Sequence, residues 1–486
     1  MKDIWKYLLE IKAISNENDC SSYIVGGVLR DLFIGKIIKD IDIVITKRVE
    51  EVARFFADKN NGSFFTLDED RKVYRVVVNK KVFDFAQIIG ESIENDLKQR
   101  DLTINAMAYP IDGIDILIKF LSKSDDFNRL NYINSLVDDS KDESILKKLF
   151  DPCGGLEDLS KGLLKISNKN VFKEDPLRIW RVFRIQRQLS FILAEETIIQ
   201  LKEDNKLAAT PAAERIKEEI MQLFNCDNIS ETISYMEEEF ELFSILIPDI
   251  SKMKETGENQ HHQENAWQHC MQVLSTLEKI LLEDKYLRLI DEHEIPLIKI
   301  SAILHDIGKT ESRSVKNGKI HYYGHEEKGA DILAPILKKL KFSRKDKSFI
   351  CNLVRNHMRP MLLYLADKLS DKGRYRFFRK LGDLAPVVLV HSLADKLAAM
   401  EVNDRKEEII VYQKFIDDIL DLYGEYKLRT ANLLLSGSEV IDYFSLQEGP
   451  FVGKVLDKLA EAQALGKVKD KKAAIDYLDN YIKNKI

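Results

Sequence analysis

The sequence predicts an α+β protein, with a small mixed β-sheet head followed by an all-α body. Three observations carry this. Short runs rich in β-branched and aromatic residues are confined to positions 20–110. From about position 170 onward, apolar residues recur at helical spacing with few β-runs. The chain has 486 residues, more than one core normally spans, so two to four domains are expected.

Composition narrows the class. Apolar residues make up 45% and charged residues 32%, as in a soluble globular chain. No apolar run approaches the ~18 residues that a membrane helix needs. The opening MKDIWKYLLEIK is charged throughout and lacks the apolar stretch of a secretory signal. The five cysteines (Cys20, Cys153, Cys226, Cys270, Cys351) are scattered without CxxC spacing. That predicts a reducing, cytoplasmic compartment and no zinc–thiolate site. A net charge of −6 makes the whole surface a poor trap for nucleic acid, so such a partner must meet local basic surfaces.

Along the chain, residues 23–25, 41–45, 74–78 and 82–85 read as strands. Residues 122–146 are polar and irregular, as in an insertion. Residues 254–265 read as a linker in which His261 and His262 are solvated. No internal repeat is apparent.

The first strand runs into Gly26-Gly27-Val28-Leu29-Arg30-Asp31, and Asp40-Ile41-Asp42 opens the next. Two glycines there let a helix start with its N–H groups open to a phosphate. Asp40 and Asp42 are two apart on a strand, so both leave the same face. Such a pair can hold two Mg²⁺ ions that clamp the attacking and leaving oxygens of a phosphoryl transfer. Asp84, on a later strand, offers a third carboxylate near an attacking 3′-OH. Alone, a DxD is a solvated strand edge and a GG is a turn. Together, in strand–GG–helix–strand order, they carry far more weight.

Four motifs then occur in a familiar order: G-G-V-L-R-D…D-I-D, R-D-L-T-I-N-A-M-A at 100–108, D-P-C-G-G-L-E-D-L at 151–159 and E-D-P-L-R at 174–178. They resemble the bacterial-type (class II) tRNA nucleotidyltransferase and poly(A) polymerase family over residues 20–225, and more weakly to the C-terminus. The resemblance implies addition of C and/or A from CTP and ATP to a tRNA 3′ end. Asp40 and Asp42 would be the catalytic metal ligands, and Gly26, Gly27, Arg30 and Asn105 would lie at the nucleotide. Arg100 and Asp101 would meet the triphosphate and ribose. A carboxylate at Asp101 suits a ribose 2′-OH, although a helix-start ion pair accounts for the same two residues. Gln99-Arg100 stands where the family often has two arginines. The stretch between Asp84 and Arg100 is also short, whereas relatives that add the full CCA triplet often carry a longer loop there. Addition of CC alone or A alone therefore stays open beside full CCA. A poly(A) polymerase is the nearest rival, though these usually end in a long basic extension.

Glu174, Asp175 and Arg178 suggest how protein side chains choose bases. On a helix Asp175 and Arg178 share a face. Cytosine and adenine each present an amino donor beside a ring-nitrogen acceptor, which an Asp acceptor next to an Arg donor complements. Uracil and guanine present the reverse and would leave buried groups unpaired, at roughly 1–3 kcal/mol each. A helix N-terminus with Pro176 early in it explains these residues equally, and both can hold at once. Arg181 continues the basic row and is a further candidate for triphosphate or RNA contact, while Leu177, Trp180 and Phe183 face the core.

A second set lies between 266 and 400: Ala266-Trp267-Gln268-His269, His305-Asp306, Gly324-His325, Asn356-His357 and Ala394-Asp395. The order H…HD…H…H…D resembles the HD phosphohydrolase superfamily. Imidazoles and carboxylates from separate helices suit one or two divalent metals of unspecified identity that activate water. By resemblance, His269, His305, Asp306 and Asp395 are the core ligands, and His325 and His357 support a second metal. Any one of these histidines alone is more often a satisfied polar residue, and an HD fold also persists as a scaffold. An HD hydrolase whose head only binds nucleotide is thus a second rival. The expected domains are 1–165, a nucleotidyltransferase head; 166–250, a helical neck that selects nucleotides; 251–425, the HD domain; and 426–486, a helical tRNA-binding tail. In that tail, Gly449–Lys454 serve RNA phosphates or an ordinary turn.

Overall fold

The computed structural model describes residues 2–38, 40–121, 147–256, 265–317, 319–366, 370–401 and 406–483. The expected insertion, and His261 and His262 of the expected linker, lie outside the described residues. The chain divides into two compact units, Met1–Ala212 and Ala213–Ile486.

The first unit is built on a six-stranded sheet. Its strands are β1 (Ser22–Val25), β2 (Asp40–Ile45), β3 (Ser63–Asp68), β4 (Val73–Val78), β5 (Lys81–Gln87) and β6 (Ala108–Pro110), ordered β3-β4-β5-β2-β1-β6. β2 and β5 run parallel and the other neighbours antiparallel, so the sheet is mixed as expected. Alternation along the strands sorts the side chains. Ile41, Ile43, Ile45, Phe83 and Phe85 are buried on one face. Helices α1 (Lys2–Glu17) and α2 (Val49–Lys59) cover it, with Tyr7 and Phe56 edge-on to Phe83 at 5.4 and 4.9 Å. Each such buried ring contributes about 1.5–3 kcal/mol. The same alternation sends Asp40, Asp42 and Asp84 to the opposite face.

Part of that second face is covered by α3 (Ile93–Lys98), whose Ile93 and Leu97 pack on Val44, Val25 and Ala108. The turn Thr103–Asn105 follows, braced by α4 (Gly155–Lys161). The D-P-C-G-G-L-E-D-L motif is this brace. Asp151 accepts from the N–H groups of Gly155 and Leu156 at 2.7 and 2.9 Å, capping the helix. Thr103 donates its hydroxyl to Asp158 at 2.7 Å. Gly155 is pressed so close to the turn that a Cβ there would lie 2.0 Å from the Thr103 carbonyl oxygen. Further on, α5 (Arg178–Leu189) buries Trp180 and Phe183 as its spacing requires, and the Trp180 indole donates to the Ala208 carbonyl at 2.8 Å.

The second unit is helical. Its centre is formed by α6 (Ala266–Ile280), α7 (Ile295–Leu304), α8 (His325–Lys339), α9 (Arg344–Asn356) and α10 (Ala385–Glu401). One short hairpin, Ser314–Lys316 with Lys319–His321, interrupts the helices. The C-terminal helices α11 (Gly437–Phe444), α12 (Pro450–Ala464) and α13 (Lys471–Lys483) close on their own core of Leu435, Val440, Val455, Leu459 and Leu478. Pro450 opens α12, so the glycine–lysine segment of the tail begins a helix. Among the described residues, no helix is long and apolar enough to cross a membrane.

Gly155→Ala is expected to cost about 1–3 kcal/mol by overpacking. A thermal melt should show a fall of several degrees, and a melting point equal to wild type would contradict the brace.

Candidate nucleotide and metal sites

The first site begins with register. Asp42 on β2 stands directly beside Asp84 on β5, and Asp40 leaves the same face one pleat away. Gly26, at φ +69°, ends β1 against this cluster. A Cβ there would meet Arg100 Nη1 at 3.0 Å and Asp42 Oδ2 at 3.2 Å, so the close approach needs glycine. Arg100 is held by Asp96, which accepts from Nε and Nη2 at 3.1 and 3.0 Å. Burial pushes the Asp42 carboxyl above the usual carboxylate range; Arg100 opposes this, while Asp84 and Asp40 add to it. A carboxylate cluster crowded in this way is relieved by a divalent cation, so these residues fit one. Asp84 is already gripped by Arg75, whose Nε and Nη2 donate to its two oxygens at 2.8 and 2.7 Å.

Next to the carboxylates runs a chain of polar contacts. Arg30 donates from Nη1 to Asn105 Oδ1 at 2.8 Å. Asn105 Nδ2 donates to Asp101 Oδ1 at 3.0 Å, and the Leu102 N–H reaches the same oxygen at 2.8 Å. Arg181 Nε lies 2.9 Å from Asp101 Oδ2. Burial alone would raise the Asp101 carboxyl; Arg181, Asn105 and the Leu102 N–H outweigh it and hold it at about 2. The helix-start pair of Arg100 with Asp101 does not form: Asp101 pairs with Arg181 and Arg100 with Asp96. Gly27 leaves room for Arg30, whose Nη2 is 3.2 Å from where a Cβ would be.

Glu174, Asp175 and Arg178 line an open cleft of about 620 Å³ together with Arg71, Gln87 and Gln99. The local structure differs from one helical face. Asp175 has extended backbone angles, and α5 starts only at Arg178. A turn through Pro176 joins them, closed by the Arg178 N–H donating to the Asp175 carbonyl at 3.0 Å. Proline disfavours helix in the residue before it, which explains the break. Arg178 donates from Nη2 to the Gln99 carbonyl at 2.7 Å, with Nη1 3.3 Å from Glu174.

The second site gathers all six expected side chains around a cavity of about 310 Å³. His269 Nε2 lies 3.0 Å from Asp395 Oδ1. Asp306 turns Oδ2 to His305 Nε2 at 3.4 Å and Oδ1 to His325 Nε2 at 3.3 Å, so its two oxygens face two different imidazoles. His305, His325 and His357 each place Nδ1 on the carbonyl three residues earlier, at 2.9, 2.8 and 2.7 Å. A carbonyl only accepts, so each Nδ1 donates and each Nε2 is turned toward the cavity. His325 and His357 Nε2 are 3.2 Å apart, which demands a shared cation, either a proton or a metal. Burial, with His305 and His325 alongside, holds His357 down to about 3, so it stays an unprotonated ligand. The donor set and its tautomers therefore fit divalent metal.

Sequence reasoning missed three residues here. Lys309 reaches Asp306 Oδ2 at 2.5 Å and adds a positive charge to the cavity. Cys270 Sγ sits 3.6 Å from His305 Nδ1. His391 is fully buried, neither ring nitrogen is hydrogen-bonded among the described residues, and its ring centroid is 5.1 Å from that of His305. Its spacing of four from Asp395 on α10 was the available signal.

Carboxylates on a mixed sheet beside a glycine-tight arginine, and a helical histidine–aspartate centre, define a nucleotidyltransferase-type head followed by an HD-type metal site. Residues 22–91 match the poly(A) polymerase head domain and residues 266–400 the HD domain. The chain is 28% identical to an A-adding tRNA nucleotidyltransferase of Deinococcus radiodurans, covering 92% of each. It is 28% identical to a CC-adding tRNA nucleotidyltransferase of Thermus thermophilus, covering 93% of this chain and 92% of that one. Its fold is similar to that of the Thermotoga maritima CCA-adding enzyme complexed with tRNA, with TM-score 0.59, 18% identity and 99% and 96% coverage. It is also similar to that of the Bacillus stearothermophilus CCA-adding enzyme in complex with CTP, with TM-score 0.61, 18% identity and 100% and 99% coverage. Over most of its length the chain is similar to bacterial tRNA nucleotidyltransferases, and its residues 266–400 match the HD domain.

Gly308 follows the His305-Asp306 pair closely, and a Cβ on it would lie 2.0 Å from the His325 carbonyl oxygen. Gly308→Ala is expected to push His325 away from Asp306 and lower the divalent metal retained per chain, read by elemental analysis after dialysis. Wild-type metal content would contradict this geometry.

Proposed function

We propose that this protein adds C and/or A nucleotides to tRNA 3′ ends without a template, using CTP and ATP with Mg²⁺ and releasing pyrophosphate. The observation that carries this is Asp42 in register with Asp84, with Asp40 on the same face, against Gly26 and Arg100. Magnesium bound by Asp40 and Asp42 supplies charge neutralisation at the triphosphate and acidifies the attacking 3′-OH. Arg30, Arg100 and Asn105 hold the phosphates in line with that hydroxyl, over Gly26 and Gly27. Asp84, held by Arg75, stands nearest the incoming 3′-OH. Asp101, kept ionised by Arg181, accepts from the ribose 2′-OH. Asp175 accepts from the exocyclic amine of cytosine or adenine and Arg178 donates to the ring nitrogen. Glu174 and the Gln99 carbonyl keep that guanidinium in place.

The short link favours partial addition over the full triplet. Only residues 88–92 join β5 to α3. Relatives named for A addition and for CC addition match this chain at the same identity.

A second activity rests on a separate observation. His269, His305, Asp306, His325, His357 and Asp395 would hold a divalent metal there, which would supply activation of water for phosphoester hydrolysis. We assign residues 1–165 to the catalytic head, 166–250 to nucleotide selection, 251–425 to the HD domain and 426–486 to tRNA binding, in a cytoplasmic enzyme.

Transcripts ending before CCA, after the first C and after CC, each with one labelled nucleotide and Mg²⁺, separate the products on one gel. CC-only or A-only extension is expected. Asp42→Asn should reduce incorporation by about 10²–10³-fold. Full incorporation by Asp40→Ala and Asp42→Ala would overturn the assignment.

A further inference from the structure

One row of side chains crosses the site face from the catalytic cluster to the sheet's outer edge. Asp42 is opposite Asp84, Asp84 opposite Arg75, and Arg75 opposite Phe65 on the edge strand β3. Cross-strand partners share a face, so the four stand in line. The row is fixed by the β4–β5 hairpin. Asn79 and Lys80, at φ +48° and +65°, form a two-residue loop that locks Val78 opposite Lys81.

Among the described residues, the edge of this face is open, with Phe65 50% exposed. Edge strands usually carry charges or proline at such positions, so a naked aromatic beside a catalytic face invites an occupant.

The chemistry says which occupant. Gly26, Arg100 and the Arg30–Asn105 chain lie on the inner side of Asp42, where the triphosphate belongs. Attacking and leaving oxygens are roughly in line at the transferred phosphorus. The acceptor hydroxyl must therefore arrive from the other side, over Asp84. Strands are ~4.8 Å apart, so Arg75 and Phe65 lie about 5 and 10 Å beyond Asp84, the span of one terminal nucleotide. Arg75 grips Asp84 with Nε and Nη2, and its Nη1 makes no hydrogen bond to a described residue.

We propose that Phe65 and Arg75 form the acceptor-end subsite, resting on the transfer reading above. The Phe65 ring stacks on the terminal base of the RNA, and Arg75 Nη1 donates to its terminal phosphodiester. Stacking suits this role because the acceptor's last base changes with each addition, and a π-face accepts every base. Hydrogen-bond readout there would restrict the enzyme to one acceptor base.

Two measurements on the full chain test this. In steady-state kinetics with saturating CTP or ATP, Phe65→Ala should raise KM for the tRNA transcript about tenfold, the effect of losing one base stack. KM for the nucleotide should stay within twofold, and Phe65→Trp should restore KM for RNA. In binding, a 2-aminopurine at the RNA 3′ end should be quenched by wild type and by Phe65→Trp but not by Phe65→Ala. An unchanged KM for RNA in Phe65→Ala, or quenching that survives it, overturns the subsite. So does a Phe65→Ala effect confined to self-association in sedimentation, which would make β3 an edge between two copies. A wild type that extends no transcript would overturn the transfer reading itself, and the quenching would still decide the subsite.

Discussion

The parallel pairing of β2 with β5 is the constraint on which the first site depends. Ile41, Ile43, Phe83 and Phe85 bury one face against α1 and α2, and strand periodicity then has nowhere to send Asp40, Asp42 and Asp84 except the other. A slip of one residue would drive a carboxylate into the apolar layer and expose a phenylalanine. Hydrophobic burial thus sets the position of acidic groups that repel one another. Burial, with Asp84 and Asp40 adding to it, raises the Asp42 carboxyl, and a cation offsets both effects.

Both sites use glycine as a spacer of minimal size. Gly26 lets a strand end touch Asp42 and Arg100, Gly155 presses α4 onto the Thr103–Asn105 turn, and Gly308 seats the His305-Asp306 pair against α8. In each case a methyl group would meet backbone or a functional side chain. Both sites also hold their polar groups by second partners. Asp96 orients Arg100, Arg181 orients Asp101, and three backbone carbonyls fix the tautomers of the HD histidines. Such outer contacts keep ligands preorganised.

Much of this was legible in the residues. The DxD spacing, the double glycine and the H…HD…H…H…D order each named side chains that the fold brings together, because period-2 and helical spacing act locally. The Trp180 face of α5 was legible for the same reason. What escaped is non-local or conformational. Arg75 becomes a neighbour of Asp84 only through hairpin register, and the signal for it, a two-residue Asn79-Lys80 loop, lacks the usual glycine. Arg181 spends its charge on Asp101, a contact made across 80 positions of sequence. Asp175 leaves the helix because Pro176 follows it. His391 had a readable spacing from Asp395 but no motif to draw attention to it.

The most direct measurement is a crystal of the protein grown with Mn²⁺ and a non-hydrolysable CTP analogue, with anomalous scattering recorded from the metal. A manganese peak coordinated by Asp40 and Asp42, with the triphosphate beside Arg30 and Arg100, is the outcome that the β2–β5 geometry requires. Nucleotide bound elsewhere, with no metal between the two carboxylates, would contradict it.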